Sequence, residues 1–276
     1  MTVVIGVLCE DGVVIGSDSA VTFVHGQIPT IEQKGTKIRV LTKNNIVLCG
    51  TGSVGLSQRF RDILKNYFDQ PANKNKSNIQ IGKELCVLAI QDFQSTGINK
   101  TAQQGYGFGA LIAFSLEGKR YLCEFAISDF QPEFKFDSLW YVSMGSGQLI
   151  ADPFLGFVRK LLWENHRPNV NQGILGTVWA LQHTIDINAG GINAPVQIGT
   201  LTKENGSFVA KRLAKEEVDQ HIEHIRSLEK QFKENNDKLI KDEELSDMPT
   251  LKDSTETTAP TEQKQDEPTT NGTGLK

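Results

Sequence analysis

Short apolar runs separated by turn signals fill the first fifty residues, and this pattern predicts antiparallel strands. Two hairpins are expected: TVVIGVLC and VVIGSDSAV joined at EDG, then TKIRVLTK and NNIVLCG joined at KNN. An Asp-Gly pair between two β-rich runs is a strong hairpin signal. If Asp11-Gly12 forms a two-residue turn, the register pairs Ile5 with Asp18. At roughly 3.3 Å per residue, Asp18 would then lie about 10 Å along the sheet from Thr2.

Apolar residues at helical spacing predict two pairs of helices, each after a group of strands. The four segments are GLSQRFRDILKNYFDQ, IQIGKELCVLAIQDF, DPFLGFVRKLLWEN and NQGILGTVWALQHTID. In the third, we expect Asp152 to cap the helix and Pro153 to stand in its first turn, where a proline sacrifices no hydrogen bond. Further strands are expected at GFGALIAFSL, RYLCEFAI, SLWYVSMG, APVQIGTL and FVAKRL.

The order of these elements is strands, two helices, strands, two helices and strands. Antiparallel sheets in such a chain pack face to face, and each needs helices to cover its outer face. The sequence therefore predicts an α+β fold, a four-layer αββα sandwich, over residues 2–212.

Beyond this unit the composition changes twice. Residues 213–243 have the pattern of a charged amphipathic helix, whose His221 and His224 are expected on a solvated face and not at a metal site. Residues 244–276 are rich in Thr, Glu, Pro, Lys and Gln and nearly free of large apolar residues. Such a segment cannot bury enough surface to offset the entropy of ordering, so we expect a disordered tail.

Charge and composition argue against several function classes. A net charge of −4 and a pI near 5.8, without a basic stripe, argue against nucleic-acid binding. The longest apolar runs fall far short of the roughly 18 residues that a membrane span needs, and no signal peptide is visible, so we expect a cytoplasmic protein. Cys9, Cys49, Cys86 and Cys123 stand singly in apolar stretches, which predicts buried free thiols.

Several motifs stand in the order found in one known family. The opening segment TVVIGVLCEDGVVIGSDSAVT is similar to the first hairpin of proteasome β subunits and their bacterial relatives, which begin with a catalytic threonine, here Thr2. An acid near the end of that family's second strand corresponds to Asp18, a lysine at the start of the third to Lys37, and a glycine before the first helix to Gly52. The resemblance covers roughly residues 2–212.

Two later motifs extend the resemblance. Ser146 in MGSG resembles the serine beside the family's nucleophile, and Asp186 in HTIDINAGG resembles the acid of its second site motif. One position departs from the family, because Ala189 stands where a serine is found three residues after that aspartate. The departure removes a hydroxyl that helps to hold the N-terminal amine.

The resemblance implies an N-terminal-nucleophile hydrolase that cleaves peptide bonds in peptides or unfolded proteins. Once Met1 is removed, Thr2 would be the first residue, and a terminal amine with a pKa of about 7.7 to 8.0 can accept its hydroxyl proton. Lys37 would favour the deprotonated forms of amine and hydroxyl while Asp18 orients the lysine. The amide of Gly52 would stabilise the oxyanion.

The same resemblance implies partners as well as chemistry. It implies a homo-oligomeric ring that encloses the active sites, with an ATPase or other regulator as a candidate partner. We expect no cofactor and no metal, and from the charge and the short apolar runs we expect neither a nucleic acid nor a membrane among the partners.

Three other interpretations stay open. A catalytically silent subunit of the same family would only build a ring or bind partners. Ala189 favours it, whereas the joint retention of Thr2, Asp18, Lys37 and Gly52 opposes it. An N-terminal-nucleophile amidase for small amides would share the fold. Gly50, Gly52 and Gly55 also spell GxGxxG, but a dinucleotide fingerprint follows the first strand of a parallel βαβ unit and this one follows two hairpins.

Overall fold

The computed structural model describes residues 1–25, 28–101, 105–188 and 190–241. The strands are β1 (Val4–Leu8), β2 (Gly12–Ser17), β3 (Ala20–His25), β4 (Ile28–Lys34), β5 (Arg39–Leu41), β6 (Ile46–Gly52), β7 (Phe108–Leu116), β8 (Lys119–Phe125), β9 (Pro132–Phe134), β10 (Tyr141–Met144), β11 (Gln197–Glu204) and β12 (Ser207–Arg212). The helices are α1 (Val54–Phe68), α2 (Asn78–Ser95), α3 (Gln148–Leu161), α4 (Val170–Ile187) and α5 (Lys215–Lys241).

The architecture is an αββα sandwich, which confirms the predicted fold class. One sheet has the strand order β10-β1-β2-β11-β12 and the other β5-β6-β7-β8-β9. The strands of the first sheet pack against those of the second, so that the two sheets share an interior. Helices α3 and α4 cover the outer face of the first sheet, and α1 and α2 cover that of the second.

Two apolar cores hold the four layers together. The first lies around the first sheet and contains most residues of β1 and β2, which are buried on both faces. The second lies under α1 and α2 and is rich in aromatic rings. There Phe60 makes edge-on contacts with Phe108, Phe125 and Phe130 at centroid distances of 5.2 to 5.9 Å. Because β1 is buried on both faces, its position is fixed, and so is that of the short segment before it, which contains Thr2.

The first hairpin turns one residue earlier than predicted. The Cys9 amide donates to the Gly12 carbonyl at 2.9 Å, so the turn is Glu10-Asp11 and not Asp11-Gly12. Gly12 belongs to β2, where an added Cβ would come within 2.5 Å of the Leu201 carbonyl oxygen. The glycine is therefore needed for the close approach of β11 to β2, and not for the turn.

Because the turn lies one residue earlier, every strand pairing shifts by two positions relative to the prediction. Ile5 pairs with Gly16 and not with Asp18. The Asp18 amide instead donates to the Val3 carbonyl at 3.4 Å. The predicted separation of Asp18 from Thr2 along the sheet is therefore wrong, because Asp18 lies opposite the residue that follows Thr2.

Helix α3 also begins earlier than predicted. Its N-cap is Gly147, so Asp152 and Pro153 lie inside the helix and not at its start. Asp152 accepts hydrogen bonds from Ser143 Oγ at 2.5 Å and from Gln148 Nε2 at 3.0 Å. The carboxylate thus joins α3 to β10, a tertiary contact that local sequence rules do not reveal.

Two strand features were not predicted from the sequence. β3 and β4 form a separate two-stranded hairpin between Asp18 and Lys37, with exposed Phe23 and Ile31. The three-residue strand β9 extends the edge of the second sheet. Pro29 and the polar residues in IPTIEQK disturb the apolar alternation by which a strand is recognised.

The last helix, α5, lies within the predicted helical range 213–243. It contacts the sandwich through Glu229, whose carboxylate accepts a hydrogen bond from Trp179 Nε1 of α4 at 2.8 Å. In the described part of the chain, no helix is both long and apolar enough to cross a membrane.

Contacts divide the chain into two compact units, Met1–Lys230 and Gln231–Lys276. The first contains the sandwich, and the second contains the end of α5. The predicted disordered tail, 244–276, lies outside the described residues. The proposed domain boundaries after residues 212 and 243 stay predictions.

Candidate active site

Thr2 precedes β1 at a point where three distant segments of the chain meet. Its Oγ1 donates to the Met1 carbonyl at 2.7 Å and accepts a hydrogen bond from Lys37 Nζ at 3.1 Å. Its backbone N–H donates to Ser146 Oγ at 3.1 Å. Lys37 and Ser146, both predicted from the sequence, are thus in direct contact with Thr2.

A buried ion pair fixes the position of Lys37. Its Nζ lies 2.7 Å from Asp18 Oδ1, and the two side chains are 9% and 0% exposed. A buried carboxylate is costly unless it is paired and hydrogen-bonded, so Asp18 strongly favours a cation at this point. The amine of Lys37 therefore bridges the Asp18 carboxylate and the Thr2 hydroxyl.

Backbone amides satisfy the rest of the Asp18 carboxylate. Oδ1 also accepts from the Val3 N–H at 3.1 Å, and Oδ2 accepts from the N–H groups of Ala20 at 2.9 Å and Asn193 at 3.4 Å. The carboxylate thereby ties together the start of β1, the start of β3 and the loop before β11. The part played by Asn193 has no motif in the sequence and was not predicted.

The turn between β10 and α3 closes tightly around the backbone of Thr2. The Gly147 N–H donates to the Thr2 carbonyl at 3.1 Å. Gly145 has φ +93°, and an added Cβ would come within 2.3 Å of the same carbonyl oxygen. The glycines on either side of Ser146 therefore allow the close approach that brings its hydroxyl to the Thr2 nitrogen.

Gly52 ends β6 and lines the same cavity as Thr2. It has φ +92°, and an added Cβ would lie 2.2 Å from the Gly107 carbonyl oxygen. The next residue, Ser53, caps α1 by accepting a hydrogen bond from the Leu56 N–H at 3.4 Å. A glycine is required here by backbone geometry, and it stands at the N-terminal end of a helix that faces the cavity.

Asp186 is not joined to this hydrogen-bonded cluster. It is exposed in the last turn of α4, where it accepts a hydrogen bond from Gln182 Nε2 at 2.7 Å, one helical turn away. Among the described contacts of Thr2 and Ser146, none involves Asp186. Its role in the site stays a prediction, and Ala189 lies outside the described residues.

Gln197, at the start of β11, positions the segment that carries Lys37. Its Oε1 accepts from the Lys37 N–H at 3.0 Å, and its Nε2 donates to the Gly35 carbonyl at 2.6 Å. Gln197 faces Ser17 across the β2–β11 pair. A single glutamine in a strand gives no sequence signal, so only the pairing of β11 with β2 reveals it.

A cavity of about 440 Å³ opens beside Thr2. Its walls come from β3, the segment before β5, the end of β6 and the first two turns of α1. Thr2, Lys37, Gly52 and Ser146 all line it. This volume falls within the range of small-ligand sites and can hold a substrate side chain next to the Thr2 hydroxyl.

The GxGxxG glycines and the four cysteines belong to the framework of the sandwich. The glycine motif ends a strand, β6, whose neighbours β5 and β7 are both antiparallel to it, which is not a dinucleotide-binding arrangement. All four cysteines are buried, as predicted. Within the described ranges, no group of three or more His, Cys, Asp or Glu side chains is arranged to hold a metal ion.

Comparisons with known proteins identify a family and two solved structures of similar fold. A family model described as proteasome subunit matches residues 2–192. No curated protein matches the chain. Anbu (ancestral beta-subunit) from Yersinia bercovieri is 14% identical, with a TM-score of 0.60, and the match covers 91% of this chain and 99% of that chain. Anbu from Hyphomicrobium sp. strain MC1 is 11% identical, with a TM-score of 0.59, and the match covers 84% of this chain and 97% of that chain. At these identities the two structures show a shared fold.

Proposed function

The chain belongs to the proteasome subunit family, and on this premise we propose that it is a threonine-type peptidase with the Thr2 hydroxyl as its nucleophile. Its substrates are peptides or unfolded protein segments. One observation carries the proposal: Lys37 Nζ lies 3.1 Å from Thr2 Oγ1 while it pairs with the buried Asp18 at 2.7 Å. A purely structural ion pair does not need the amine to contact a hydroxyl at the edge of a cavity.

Removal of Met1 prepares the nucleophile. With Met1 present, the Thr2 nitrogen is an amide and its hydroxyl donates to the Met1 carbonyl. Without Met1 the nitrogen becomes an amine, and a free α-amino group with a pKa of about 7.7 to 8.0 can accept the hydroxyl proton of the same residue. Met1 is 52% exposed, so an aminopeptidase can reach it.

Ser146 and Lys37 position the amine and the hydroxyl of Thr2. Ser146 Oγ, 3.1 Å from the Thr2 nitrogen, positions the amine. The positive charge of Lys37 disfavours a second positive charge on the amine and stabilises the alkoxide, since a nearby like charge opposes ionisation and an opposite charge within about 4 to 6 Å favours it. Asp18 keeps that charge in place through the buried pair.

Attack on a substrate carbonyl forms a tetrahedral oxyanion, which needs a hydrogen-bond donor. Gly52 stands at the N-terminal end of α1, where the backbone amide and the helix dipole both favour negative charge. One such donor is worth about 3 kcal/mol to the transition state. Collapse of the intermediate releases the amine product and leaves an ester on Thr2, which water then hydrolyses.

We also propose that the chain assembles into a ring. Proteasome-family subunits generally form rings, and an exposed apolar stripe on α3 supports an assembly surface here. The stripe consists of residues spaced four apart, Leu149, Pro153, Phe157 and Leu161. A cytoplasmic location and an ATPase or other regulator as partner belong to the same proposal.

Turnover of internally quenched peptides by full-length protein tests the proposed peptidase. The Met1-free wild type is expected to cleave them, T2A to lose cleavage, and T2S to keep part of it because a hydroxyl is retained. Equal circular dichroism of the variants controls for folding. No cleavage by Met1-free wild type would favour a silent assembly subunit, and cleavage of acylated small amines alone would favour an amidase.

A further inference from the structure

Basic side chains outnumber acidic ones on the walls of the cavity beside Thr2. Its lining includes three basic side chains, Lys37, Arg39 and Arg61. Among the described residues that line it, there is no Asp or Glu. A ligand that enters the cavity therefore meets positive charge without a compensating carboxylate on the wall.

The three cations differ in how far their charge is already neutralised. Lys37 is paired with the buried Asp18. Among the described residues, Arg61 bonds only to its neighbour Asp62, at 3.1 and 3.2 Å, and such exposed pairs contribute about 0 to 1 kcal/mol. Arg39 is exposed, and no carboxylate of the described chain lies within ion-pair distance of it. Arg39 is thus free to bind an anion.

Arg39 stands on the same wall as the lysine that contacts Thr2. Gly35, Thr36, Lys37 and Arg39 line the cavity, whereas Ile38, between Lys37 and Arg39, is buried in the core between the sheets. Two positions of extended chain span at most about 7 Å, so Arg39 follows Lys37 closely along this wall. Arg39 lines the same cavity as Thr2, and its guanidinium is therefore within reach of a substrate side chain held there.

Helix α1 supplies the opposite wall. Val54, Ser57, Gln58 and Arg61 line the cavity; the adjacent pair Ser57 and Gln58 lies one turn after Val54 and one turn before Arg61, so the four share a face. The N-terminus of the helix, capped by Ser53, lies at the Gly52 end of the cavity, and its dipole adds to the positive potential. Arg61 lies about 10 Å farther along the helix axis than Val54.

From this charge and placement we propose that the cavity binds an acidic side chain, so that the enzyme cleaves after glutamate or aspartate. Arg39 is the main carboxylate ligand and Arg61 the second. The inference rests on the proposed function and specifies its substrate class. A guanidinium and a carboxylate form two parallel charge-assisted hydrogen bonds, whereas a basic substrate residue would be repelled.

The experiment compares three peptides that differ only in the residue before the scissile bond: glutamate, its neutral isostere glutamine, and lysine. In full-length protein without Met1, we expect kcat/KM to be about tenfold or more higher for glutamate than for glutamine, and lowest for lysine. R39Q should bring the glutamate-to-glutamine ratio towards one, and R61Q should lower it less. K119Q is the matched control, because it removes an exposed charge outside the cavity and should keep the wild-type ratio.

A fourth peptide distinguishes two sources of the carboxylate. It carries glutamine before the bond and a free terminal carboxylate on the residue after it. Preference for this peptide over the glutamate peptide would overturn the assignment, because the cavity would then recognise a chain end. Equal cleavage after glutamate and glutamine, or an unchanged ratio in R39Q, would also overturn it while leaving the peptidase intact.

A binding arm separates the inference from the proposed function. Labelled glutamate and glutamine peptides are titrated into T2A and into T2A/R39Q and followed by fluorescence polarisation. Tighter binding of the glutamate peptide that disappears with R39Q supports the acidic preference, even if the wild type cleaves no peptide and the peptidase is refuted. Equal binding of the two peptides to T2A would overturn the preference.

Discussion

Lys37 is the residue on which the candidate site depends most. Its amine contacts the Thr2 hydroxyl at 3.1 Å and the Asp18 carboxylate at 2.7 Å. The first contact serves the proposed chemistry, and the second keeps a fully buried carboxylate paired. A change at Lys37 is therefore expected to affect activity and stability for different reasons.

We expect K37M to lower kcat/KM by at least about 100-fold, because the hydroxyl loses its neighbouring charge. It should also lower the free energy of unfolding by about 3 to 5 kcal/mol, because Asp18 stays buried and unpaired. Peptide turnover and urea unfolding measure the two effects. The double variant D18N/K37M should regain part of the stability and none of the activity. A K37M protein with activity within tenfold of wild type would exclude a catalytic lysine.

Sequence reasoning found the residues of this site that belong to motifs and missed those that act only through the fold. Thr2, Lys37 and Ser146 were predicted from their motifs and lie in contact. Gln197 was not, since its bonds to the Lys37 segment depend on the pairing of β11 with β2. Asp186 also belongs to a motif, and in the structure it pairs along its own helix with Gln182.

Among the elements, the first hairpin matters most to the site, since its register sets where Asp18 lies. Apolar β-rich runs predicted both strands, but the turn was placed one residue too late, because Gly12 fits a turn signal as well as a strand position. The structure assigns that glycine to β2, where β11 approaches its backbone. Turn rules use only residues close together in the sequence. They therefore carry no information about β11, which pairs with β2 from a distant part of the chain.

We expect G12A to lower the free energy of unfolding by about 1 to 3 kcal/mol, because its Cβ would meet the Leu201 carbonyl oxygen at 2.5 Å and Val170 Cγ2 at 2.6 Å. G156A in α3 is the control, since nothing lies within 4 Å of its Cβ position and alanine favours a helix. Urea unfolding should show G156A equal to or more stable than wild type. Unchanged stability of G12A would contradict the close strand approach.

Helices cover both outer faces of the sandwich, and α3 carries the exposed apolar stripe. Leu149 is 88% exposed, Phe157 50% and Leu161 40%. A stripe of this kind on an outer helix is typical of a surface that another chain covers. The amphipathic pattern of this segment predicted the helix but not which of its apolar residues would be left outside.

We expect the double variant L149E/F157E to weaken ring assembly, because two charges would have to be buried at the interface. Light scattering after size-exclusion chromatography should show smaller particles than for the wild type. L139E is a matched control, since Leu139 is 53% exposed and lies in the loop before β10. Assembly that survives L149E/F157E but fails in L139E would place the interface elsewhere.

The buried thiols report on the integrity of the sandwich. Burial raises the pKa of Cys49 to about 12 and also raises the pKa of Cys9 and Cys123. The thiolate is the reactive form, so iodoacetamide at a pH of about 8 should label these residues slowly in the folded protein and fully in guanidinium. Intact mass measures the number of labels. Rapid labelling of Cys49 without denaturant would contradict its burial between the sheets.

The mass of the purified protein before and after incubation with an epoxyketone shows whether Thr2 is the nucleophile. This reagent closes a ring with both the hydroxyl and the free amine of an N-terminal threonine. We expect a chain without Met1 that gains one inhibitor mass, mapped to Thr2, and no gain in K37M over the same time. A Met1-free wild-type chain that stays unmodified would contradict the threonine peptidase.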